Sequence, residues 1–255
     1  MVLLRSILFN LCFYALLIVL MIFGMPTLMA GRRRVEGYAR LWARLSLALL
    51  DHICHLKVEF RGLQNLPEGP AIVAAKHQSF LDVLALLLRV RGFTFVYKRE
   101  LGLIPLFGLY LRRSEQIAID RAKRGSTLPQ VIAAAKQIFA GNRRLVIFPE
   151  GTRRAAGAPP LYKAGVARIA QETGVACVPV ALNSGLFWRR RGFMRRAGTV
   201  VVEFLEPIQP GLDKESFIRL LETRIEQATH GLVAEALAKD PALAASVPQL
   251  PVSSA

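Results

Sequence analysis

The chain has 255 residues, a formal net charge of +16 and a mean hydropathy of +0.36. So basic a chain suggests nucleic acid as a partner, but no helix-turn-helix, RNA-binding or zinc pattern is present, and the positive hydropathy favours an anionic lipid surface. The length fits one compact domain with an anchor. Three cysteines (Cys12, Cys54 and Cys177) lack the spacing of a disulfide framework or a metal site, which is typical of a reducing compartment.

The first predicted element is a long apolar helix near the N-terminus. Between Arg5 and Arg32 the chain carries no charged side chain, and a helix over these 26 residues is long enough to cross the hydrocarbon core. The run is too long for a signal peptide, and no clear cleavage site follows it. The arginines at 32–34 put that end on the cytoplasmic side by the positive-inside rule, while Pro26 leaves open a half-immersed helical hairpin instead of a true span.

Residues 35–55 are predicted to form a second, amphipathic helix. Apolar side chains recur along it at helical spacing, and such a helix lies along the membrane interface with its aromatic residues among the lipid headgroups. These side chains are Tyr38, Leu41, Trp42, Leu45 and Leu49. Residues 1–55 are therefore predicted to be a hydrophobic two-helix membrane anchor.

From residue 56 the pattern changes to short apolar strands that alternate with helices. This alternation predicts an α/β domain over residues 56–240, with a mostly parallel central sheet and flanking helices. The predicted strands are 57–61, 71–75, 93–97, 144–148, 176–182 and 199–204, and the predicted helices are 83–90, 128–140, 164–172 and 215–228. Functional residues of such a domain lie at strand ends and in the loops beyond them. The tail, residues 241–255, is rich in Pro, Ala and Ser and is predicted to be disordered.

A histidine follows the predicted strand 71–75. Ser79 with Asp82 three residues later, just before an apolar run, is a capping box, which makes Ser79 the N-cap of the next helix and leaves His77 in the loop ahead of it. The Asp82 carboxylate can then contact one ring nitrogen of His77 and leave the other free to accept a proton. The alternative is that Asp82 only caps the helix and His77 is an ordinary surface histidine.

Two further strand ends carry charged residues. Lys98 follows a predicted strand and stands two residues before Glu100, a pattern that also fits a plain surface ion pair. The sequence Phe-Pro-Glu-Gly-Thr-Arg at 148–153 forces a tight turn after another strand and presents Glu150 and Arg153 from one loop. An arginine there can bind a phosphate through two parallel hydrogen bonds, and the alternative is a solvated ion pair.

Four sequence blocks, in this order and spacing, resemble the glycerolipid acyltransferase family and most closely its bacterial 1-acylglycerol-3-phosphate acyltransferases. The resemblance covers about residues 60–206. The blocks are His-four residues-Asp at His77 and Asp82, a second block at Lys98, Glu100, Leu101, Pro105 and Gly108, Phe-Pro-Glu-Gly-Thr-Arg at 148–153, and Val-Pro-Val at 178–180. One departure is Lys76, where many members carry Asn, and this departure bears on the specificity for the acceptor.

The resemblance implies a membrane enzyme that transfers an acyl chain from an acyl thioester to the sn-2 hydroxyl of 1-acyl-sn-glycerol 3-phosphate and so forms phosphatidic acid. Another lysolipid, such as a lyso-ornithine lipid, is the alternative acceptor. His77 is implied to be the general base, and Asp82 is implied to orient it. The residues implied to bind the acceptor are Lys98, Glu150, Gly151, Thr152 and Arg153.

No metal and no cofactor is expected, because the thioester of CoA or of acyl carrier protein is itself the co-substrate. Backbone amides at the helix start near Ser79 are expected to stabilise the developing oxyanion. Ser79 is also a rival acyl-carrying nucleophile, although a capping role occupies its hydroxyl. If a tunnel sets the acyl-chain length, residues 103–111 are expected to line it.

The segment 187–196 interleaves aromatic residues with five arginines. It suits an anionic bilayer surface, an acidic acyl carrier protein or the phosphates of CoA, and a solvated basic loop remains the alternative. Together these features predict a protein of the bacterial inner membrane whose catalytic domain faces the cytoplasm. Membrane lipid is its expected substrate, and nucleic acid is not an expected partner.

Overall fold

The computed structural model describes residues 1–120 and 127–247 of the chain. Eight α-helices and seven β-strands lie in this part of the chain. The strands are β1 (Leu56–Arg61), β2 (Ala71–Ala75), β3 (Phe93–Lys98), β4 (Ile117–Ile119), β5 (Arg144–Ile147), β6 (Cys177–Leu182) and β7 (Gly198–Phe204). The helices are α1 (Val2–Phe23), α2 (Met25–Met29), α3 (Arg32–Cys54), α4 (Leu81–Arg89), α5 (Phe107–Arg113), α6 (Thr127–Ala140), α7 (Gly165–Thr173) and α8 (Lys214–Lys239).

The strands of the described chain form one sheet with the order β1-β7-β6-β2-β5-β3-β4. Neighbouring strands run parallel, except that β6 and β7 are antiparallel. The predicted α/β fold with a mostly parallel central sheet is therefore confirmed. The six predicted strands agree with the observed strands to within a residue at either end.

The two faces of β2 pack into two different hydrophobic clusters. Val73 and Ala75 face a cluster built mainly with α1, α3 and α4, whereas Ile72 and Ala74 face a cluster built with α6, α7 and α8. Because both faces are covered, every position of the strand must be apolar, which explains its unbroken apolar run. The C-terminal end of this central strand leads directly to His77.

Two elements were absent from the sequence prediction. Strand β4 has only three residues and pairs with the edge of β3, so its apolar signal is too short to recognise. Helix α5 begins after Leu106, whose φ of 59° is positive. A leucine rarely adopts a positive φ, and Pro105 before it indicates a turn but not the helix that follows.

Helix α3 covers the predicted second anchor helix, and protein covers one side of it. Ala43, Ser46 and Leu50 are buried, and the helix packs against α1 and α4. Of the predicted apolar side chains, Tyr38 and Trp42 line a cavity and Leu41 is exposed. The interfacial placement of this helix stays a prediction. A helical period reports only that one face is apolar, and either protein or lipid can cover that face.

Helix α1 is long and apolar enough to cross a membrane by length and composition. Both of its ends are hydrogen-bonded to the α/β domain. Near the N-terminal end, the Arg195 backbone amide donates to Ser6 Oγ at 2.9 Å, and the Arg195 guanidinium donates to Asn10 Oδ1 at 3.1 Å. At the C-terminal end, the Tyr110 hydroxyl in α5 donates to the Met21 carbonyl at 2.9 Å. The outward face between these ends is apolar and exposed.

The C-terminal region is more ordered than its composition predicts. Helix α8 continues to Lys239 instead of ending at residue 228, and Pro241–Ser246 form a short 3-10 helix. Leu243 is only 2% exposed, and the Arg196 guanidinium donates to the Ala242 carbonyl at 3.0 Å. The prediction of a disordered tail is therefore wrong for residues 241–247, because a distant loop supplies partners that local composition cannot reveal. The rest of the predicted tail, residues 248–255, lies outside the described residues.

Candidate active site

His77 and Asp82 are joined at the start of α4. His77 Nδ1 donates to Asp82 Oδ2 at 3.0 Å, and the same oxygen accepts from the backbone amides of Gln78 at 2.7 Å and Ser79 at 2.8 Å. The helix itself begins at Leu81, whose amide donates to Ser79 Oγ at 3.2 Å. The predicted contact between His77 and Asp82 is thus present, and the same carboxylate accepts from the Ser79 amide as a capping box requires. The N-cap, however, is Phe80 and not the predicted Ser79.

The second carboxylate oxygen of Asp82 is held by a residue that follows a different strand. Ser184, directly after β6, donates from its hydroxyl to Asp82 Oδ1, and the Gly185 amide beside it donates to Gln78 Oε1 at 2.9 Å. Asp82 is fully buried, so these donors replace water around its charge. The sequence analysis missed Ser184, which lies 102 residues away and belongs to no motif.

The His77 ring has one nitrogen to offer to a substrate. Its face stacks on Phe148, with 3.8 Å between ring centroids and 16° between the planes. Because an ionised carboxylate can only accept, Nδ1 carries a hydrogen and Nε2 is the nitrogen that can take a proton. His77 is part of the wall of a large cavity. This is the geometry of a general base with a carboxylate that fixes its tautomer.

Ser79 and the amides around it are already occupied. Ser79 is fully buried, and its hydroxyl accepts from Leu81, so it is not placed to carry an acyl group. The amides of Gln78 and Ser79 both donate to Asp82. These two amides therefore do not supply the oxyanion donors expected at the helix start.

The cavity has a volume of roughly 1140 Å³ and is mostly apolar. Its walls come from α1, α3, α4, β3 and α5. The apolar wall residues include Leu17, Leu20, Met21, Trp42, Val83, Phe95, Leu101, Phe107, Tyr110 and Leu111. His77, Phe148 and charged residues line the same cavity as these apolar side chains, so one cavity offers surfaces for both a long hydrocarbon chain and a polar headgroup.

Three cationic residues line the same cavity as His77. Lys98 and Arg153 are two of the predicted binding residues, and Thr152 lines the cavity beside them. Lys163 is a third cation, which the sequence analysis missed because it belongs to no motif. Its backbone amide donates to the Pro149 carbonyl at 3.0 Å, which ties its segment to the turn at 148–153.

Gly151 makes room for Lys163. Its φ is +67°, and a Cβ at this position would lie 2.9 Å from Lys163 Nζ. The positive φ favours glycine here, and a larger residue would in addition push the flexible end of Lys163 aside. Gly151 lines the cavity through its backbone.

The structure separates Glu150 from the other predicted binding residues. Its side chain is fully buried, Oε1 lies 3.0 Å from the Lys76 ammonium, and neither Glu150 nor Lys76 lines the cavity. Burial raises the pKa of the Glu150 carboxyl, and the positive charge of Lys76 opposes that rise. Glu150 is not among the residues that line the cavity, and its contact with the acceptor stays a prediction.

The cysteines and metal binding were also considered in the sequence analysis. Cys177 is fully buried in β6, and burial raises the pKa of its thiol, as expected for a structural cysteine. No group of three His, Cys, Asp or Glu side chains in the described part of the chain is arranged to hold a metal ion.

The chain is similar in sequence to known acyltransferases. The Acyltransferase family model matches residues 57–183. The 1-acyl-sn-glycerol-3-phosphate acyltransferase of Pseudomonas aeruginosa is 31% identical over 180 residues, which cover 71% of this chain and 70% of that protein. The human 1-acyl-sn-glycerol-3-phosphate acyltransferase alpha is 28% identical over 204 residues, which cover 78% of this chain and 71% of that protein.

A solved structure is similar over nearly the whole chain. The crystal structure of the 1-acyl-sn-glycerophosphate (LPA) acyltransferase PlsC from Thermotoga maritima superposes with a TM-score of 0.78 at 26% identity, covering 92% of this chain and 98% of that one. The sequence and the fold agree on the same relatives. The chain therefore belongs to the acyltransferase family that contains the 1-acyl-sn-glycerol-3-phosphate acyltransferases.

Proposed function

We propose that the protein transfers an acyl chain from an acyl thioester to the sn-2 hydroxyl of 1-acyl-sn-glycerol 3-phosphate, which gives phosphatidic acid and a free thiol. One observation carries this proposal: the base of the His77–Asp82 pair lines the same mostly apolar cavity as three cationic side chains. The names of the relatives describe the same reaction. Both the acceptor and the product of the reaction are then membrane lipids.

The chemistry begins at His77 Nε2, which accepts the proton of the sn-2 hydroxyl as the hydroxyl oxygen attacks the thioester carbonyl. The Asp82 carboxylate, hydrogen-bonded to Nδ1 at 3.0 Å, stabilises the imidazolium that forms. When the tetrahedral intermediate collapses, the carbon–sulfur bond breaks and the thiolate takes the proton back from His77. Every proton and electron pair is accounted for without a covalent acyl-enzyme or a cofactor.

The cations near His77 supply the specificity for the acceptor. Lys98, Arg153 and Lys163 line the cavity next to the base, and a phosphate monoester carries close to two negative charges at neutral pH. Arg153 is suited to fork onto two phosphate oxygens, and the two lysines act as point charges. A lyso-ornithine lipid offers these cations one carboxylate and an ammonium instead of a doubly charged phosphate, and is therefore the poorer acceptor.

The acyl donor is a thioester of either CoA or acyl carrier protein. Arg189, Arg190 and Arg191 are exposed, and the basic loop that carries them suits the phosphates of CoA, an acidic carrier protein or an anionic bilayer. Arg195 is instead buried, with its guanidinium 3.9 Å above the Trp188 ring, and it holds the loop against α1. The loop therefore has a fixed part and an exposed part.

The protein associates with membranes through its apolar N-terminal helix. We propose the inner bacterial membrane, with the catalytic domain on the cytoplasmic side, where Arg32–Arg34 favour the cytoplasm. The hydrogen bonds at both ends of α1 support a helix that lies in one leaflet, because a span would carry its two ends to opposite sides of the bilayer.

The deciding experiment uses purified protein in nanodiscs with labelled acyl-CoA or labelled acyl-acyl carrier protein as donor. The acceptors are 1-acylglycerol 3-phosphate, 1-acylglycerol and a lyso-ornithine lipid. Transfer to 1-acylglycerol 3-phosphate that is lost in His77→Ala supports the proposal. Transfer only to an acceptor without a phosphate would refute the proposed acceptor, and full activity of His77→Ala would refute the mechanism.

A further inference from the structure

Lys76, the residue before the general base, is buried between two carboxylates. Its side chain is 2% exposed, and its Nζ lies 3.0 Å from Glu150 Oε1 and 2.6 Å from Glu226 Oε1. A lysine is almost never fully buried unless it is paired. The position is also the one at which this chain departs from the asparagine of the family motif.

The second carboxylate comes from a different part of the fold. Glu226 lies in α8, and its Oε1 also accepts from the Tyr162 hydroxyl at 2.7 Å. On the other side, Arg154 Nε lies 3.7 Å from Glu150 Oε1. Two cations thus face two carboxylates, and the charges of the cluster are balanced only when Lys76 and Glu226 are both present or both absent.

This cluster holds the backbone of His77. Glu150 Oε2 lies 3.5 Å from the His77 amide nitrogen, and the Arg154 amide donates to the His77 carbonyl at 2.8 Å. Both peptide groups of the general base are therefore held by the turn at 148–154. Lys76 in turn holds Glu150 in that turn, so the ammonium acts on His77 through Glu150.

We propose that Lys76 and Glu226 form a positioning pair, through which α8 holds the Glu150 turn against the backbone of the general base. The inference rests on the proposed function and adds which residues hold the general base, His77, in position. In this chain the buried Lys76 ammonium needs the Glu226 carboxylate to balance its charge. A neutral asparagine at the same position would need no such partner. Lys76 does not line the cavity, so it is not a contact of the acceptor.

The loss of Lys76 has a clear physical consequence. Glu150 and Glu226 would be left as two neighbouring carboxylates, and Glu150 has no exposed surface through which water could screen it. Repulsion then moves the turn that holds His77. A displacement of about 1 Å at a catalytic group can cost roughly 10²-fold in rate.

The test is a double-mutant cycle of Lys76→Asn and Glu226→Gln, measured as kcat and acceptor KM with 1-acylglycerol 3-phosphate. Lys76→Asn is expected to lower kcat by about 10²-fold with acceptor KM within about twofold, because the cations near His77 are untouched. Adding Glu226→Gln is expected to restore at least about tenfold of the loss, since it removes the unpaired charge. Lys239→Asn breaks an exposed ion pair of the same helix, 2.8 Å long, and serves as the control.

The outcomes separate this inference from the proposed function. If the wild type transfers acyl chains and Lys76→Asn keeps kcat within twofold, the positioning role is refuted and the function stands. The role is also refuted if the double variant is no better than Lys76→Asn, including the case in which Lys76→Asn does not fold and Glu226→Gln fails to restore folding. A change confined to acceptor KM would assign Lys76 to acceptor binding instead.

Discussion

Ser184 donates a hydrogen bond to the Asp82 oxygen that His77 does not contact. Both oxygens of this buried carboxylate are therefore engaged, one by Ser184 and the other by His77 and two backbone amides. The carboxylate cannot rotate without breaking several hydrogen bonds at once. It is held before any substrate arrives, which lowers the reorganisation that catalysis would otherwise require.

We expect Asp82→Asn to lower kcat by roughly 10²- to 10⁴-fold, because an amide NH₂ in place of one oxygen favours the wrong histidine tautomer. Ser184→Ala removes a single donor and leaves the contact with His77, so we expect a loss of no more than about tenfold. Initial rates at saturating acceptor, with folding checked by thermal melting, measure both. An Asp82→Asn enzyme as active as Ser184→Ala would contradict the role of Asp82.

Replacing Arg153 by alanine should act on acceptor binding. Loss of a charged hydrogen bond to phosphate is expected to raise the acceptor KM by about 10- to 100-fold with little change in kcat. The matched control is the exposed Arg168→Ala in α7, which we expect to behave as the wild type. A second control is 1-acylglycerol, which lacks the phosphate. If Arg153→Ala weakened the use of both acceptors equally, phosphate recognition by Arg153 would be ruled out.

Gly151 and Lys163 should be coupled in binding. Gly151→Ala forces an L-residue into a left-handed conformation at a cost of roughly 1–2 kcal/mol and also displaces the Lys163 ammonium. We expect a lower melting temperature together with a higher acceptor KM. In a Lys163→Ala background the same substitution should still lower the melting temperature but no longer change KM. Equal effects on KM in the two backgrounds would show that Gly151→Ala does not act through Lys163, and an unchanged KM in Lys163→Ala alone would show that Lys163 does not bind the acceptor.

The cavity wall in α5 should limit the acyl chain. Leu111 lines the cavity, whereas Leu109 in the same helix is 49% exposed and points away from it. Leu111→Trp is therefore expected to reduce transfer of the longest chains by at least about tenfold relative to shorter ones. Each methylene group of the acyl chain that no longer fits in the cavity lowers the binding free energy of the chain. Leu109→Trp is the control and should leave the chain-length profile unchanged. Identical profiles for the two variants would remove α5 from chain selection.

The position of α1 can be tested with single cysteines at Val2 and Met29 in a Cys12→Ala background. Cys54 and Cys177 can stay, because both are buried and burial raises the pKa of both thiols, which keeps them protonated and unreactive. We expect an impermeant maleimide to label both new cysteines in inverted inner-membrane vesicles and neither in spheroplasts. Labelling of one cysteine from each side would instead establish a true span.

The sequence predicts the parts of this protein that depend on neighbouring residues. The capping box shows that His77 lies ahead of a helix and that Asp82 can reach it, and the unbroken apolar run of β2 indicates a central buried strand. These features depend on contacts within a few residues. Local chemistry therefore decides them, and the structure reproduces them.

The parts that sequence reasoning missed all depend on distant contacts. Ser184 and Lys163 belong to no motif, and only the fold brings them to Asp82 and Gly151. Glu150 stands in a motif, but the direction of its side chain follows from a buried lysine that the motif does not mention. Amphipathic α3 could be covered by lipid or by protein, and its period cannot distinguish the two.

Helix α1 forms part of the cavity wall through Leu17, Leu20 and Met21. A truncated protein without this helix, made to avoid detergent, would therefore have an open and solvated acyl site. Detergent presents the opposite hazard, because its alkyl chains suit the same apolar space and would compete with the donor. Inhibitor screens and kinetic work on this enzyme should for that reason use the full chain in a lipid bilayer.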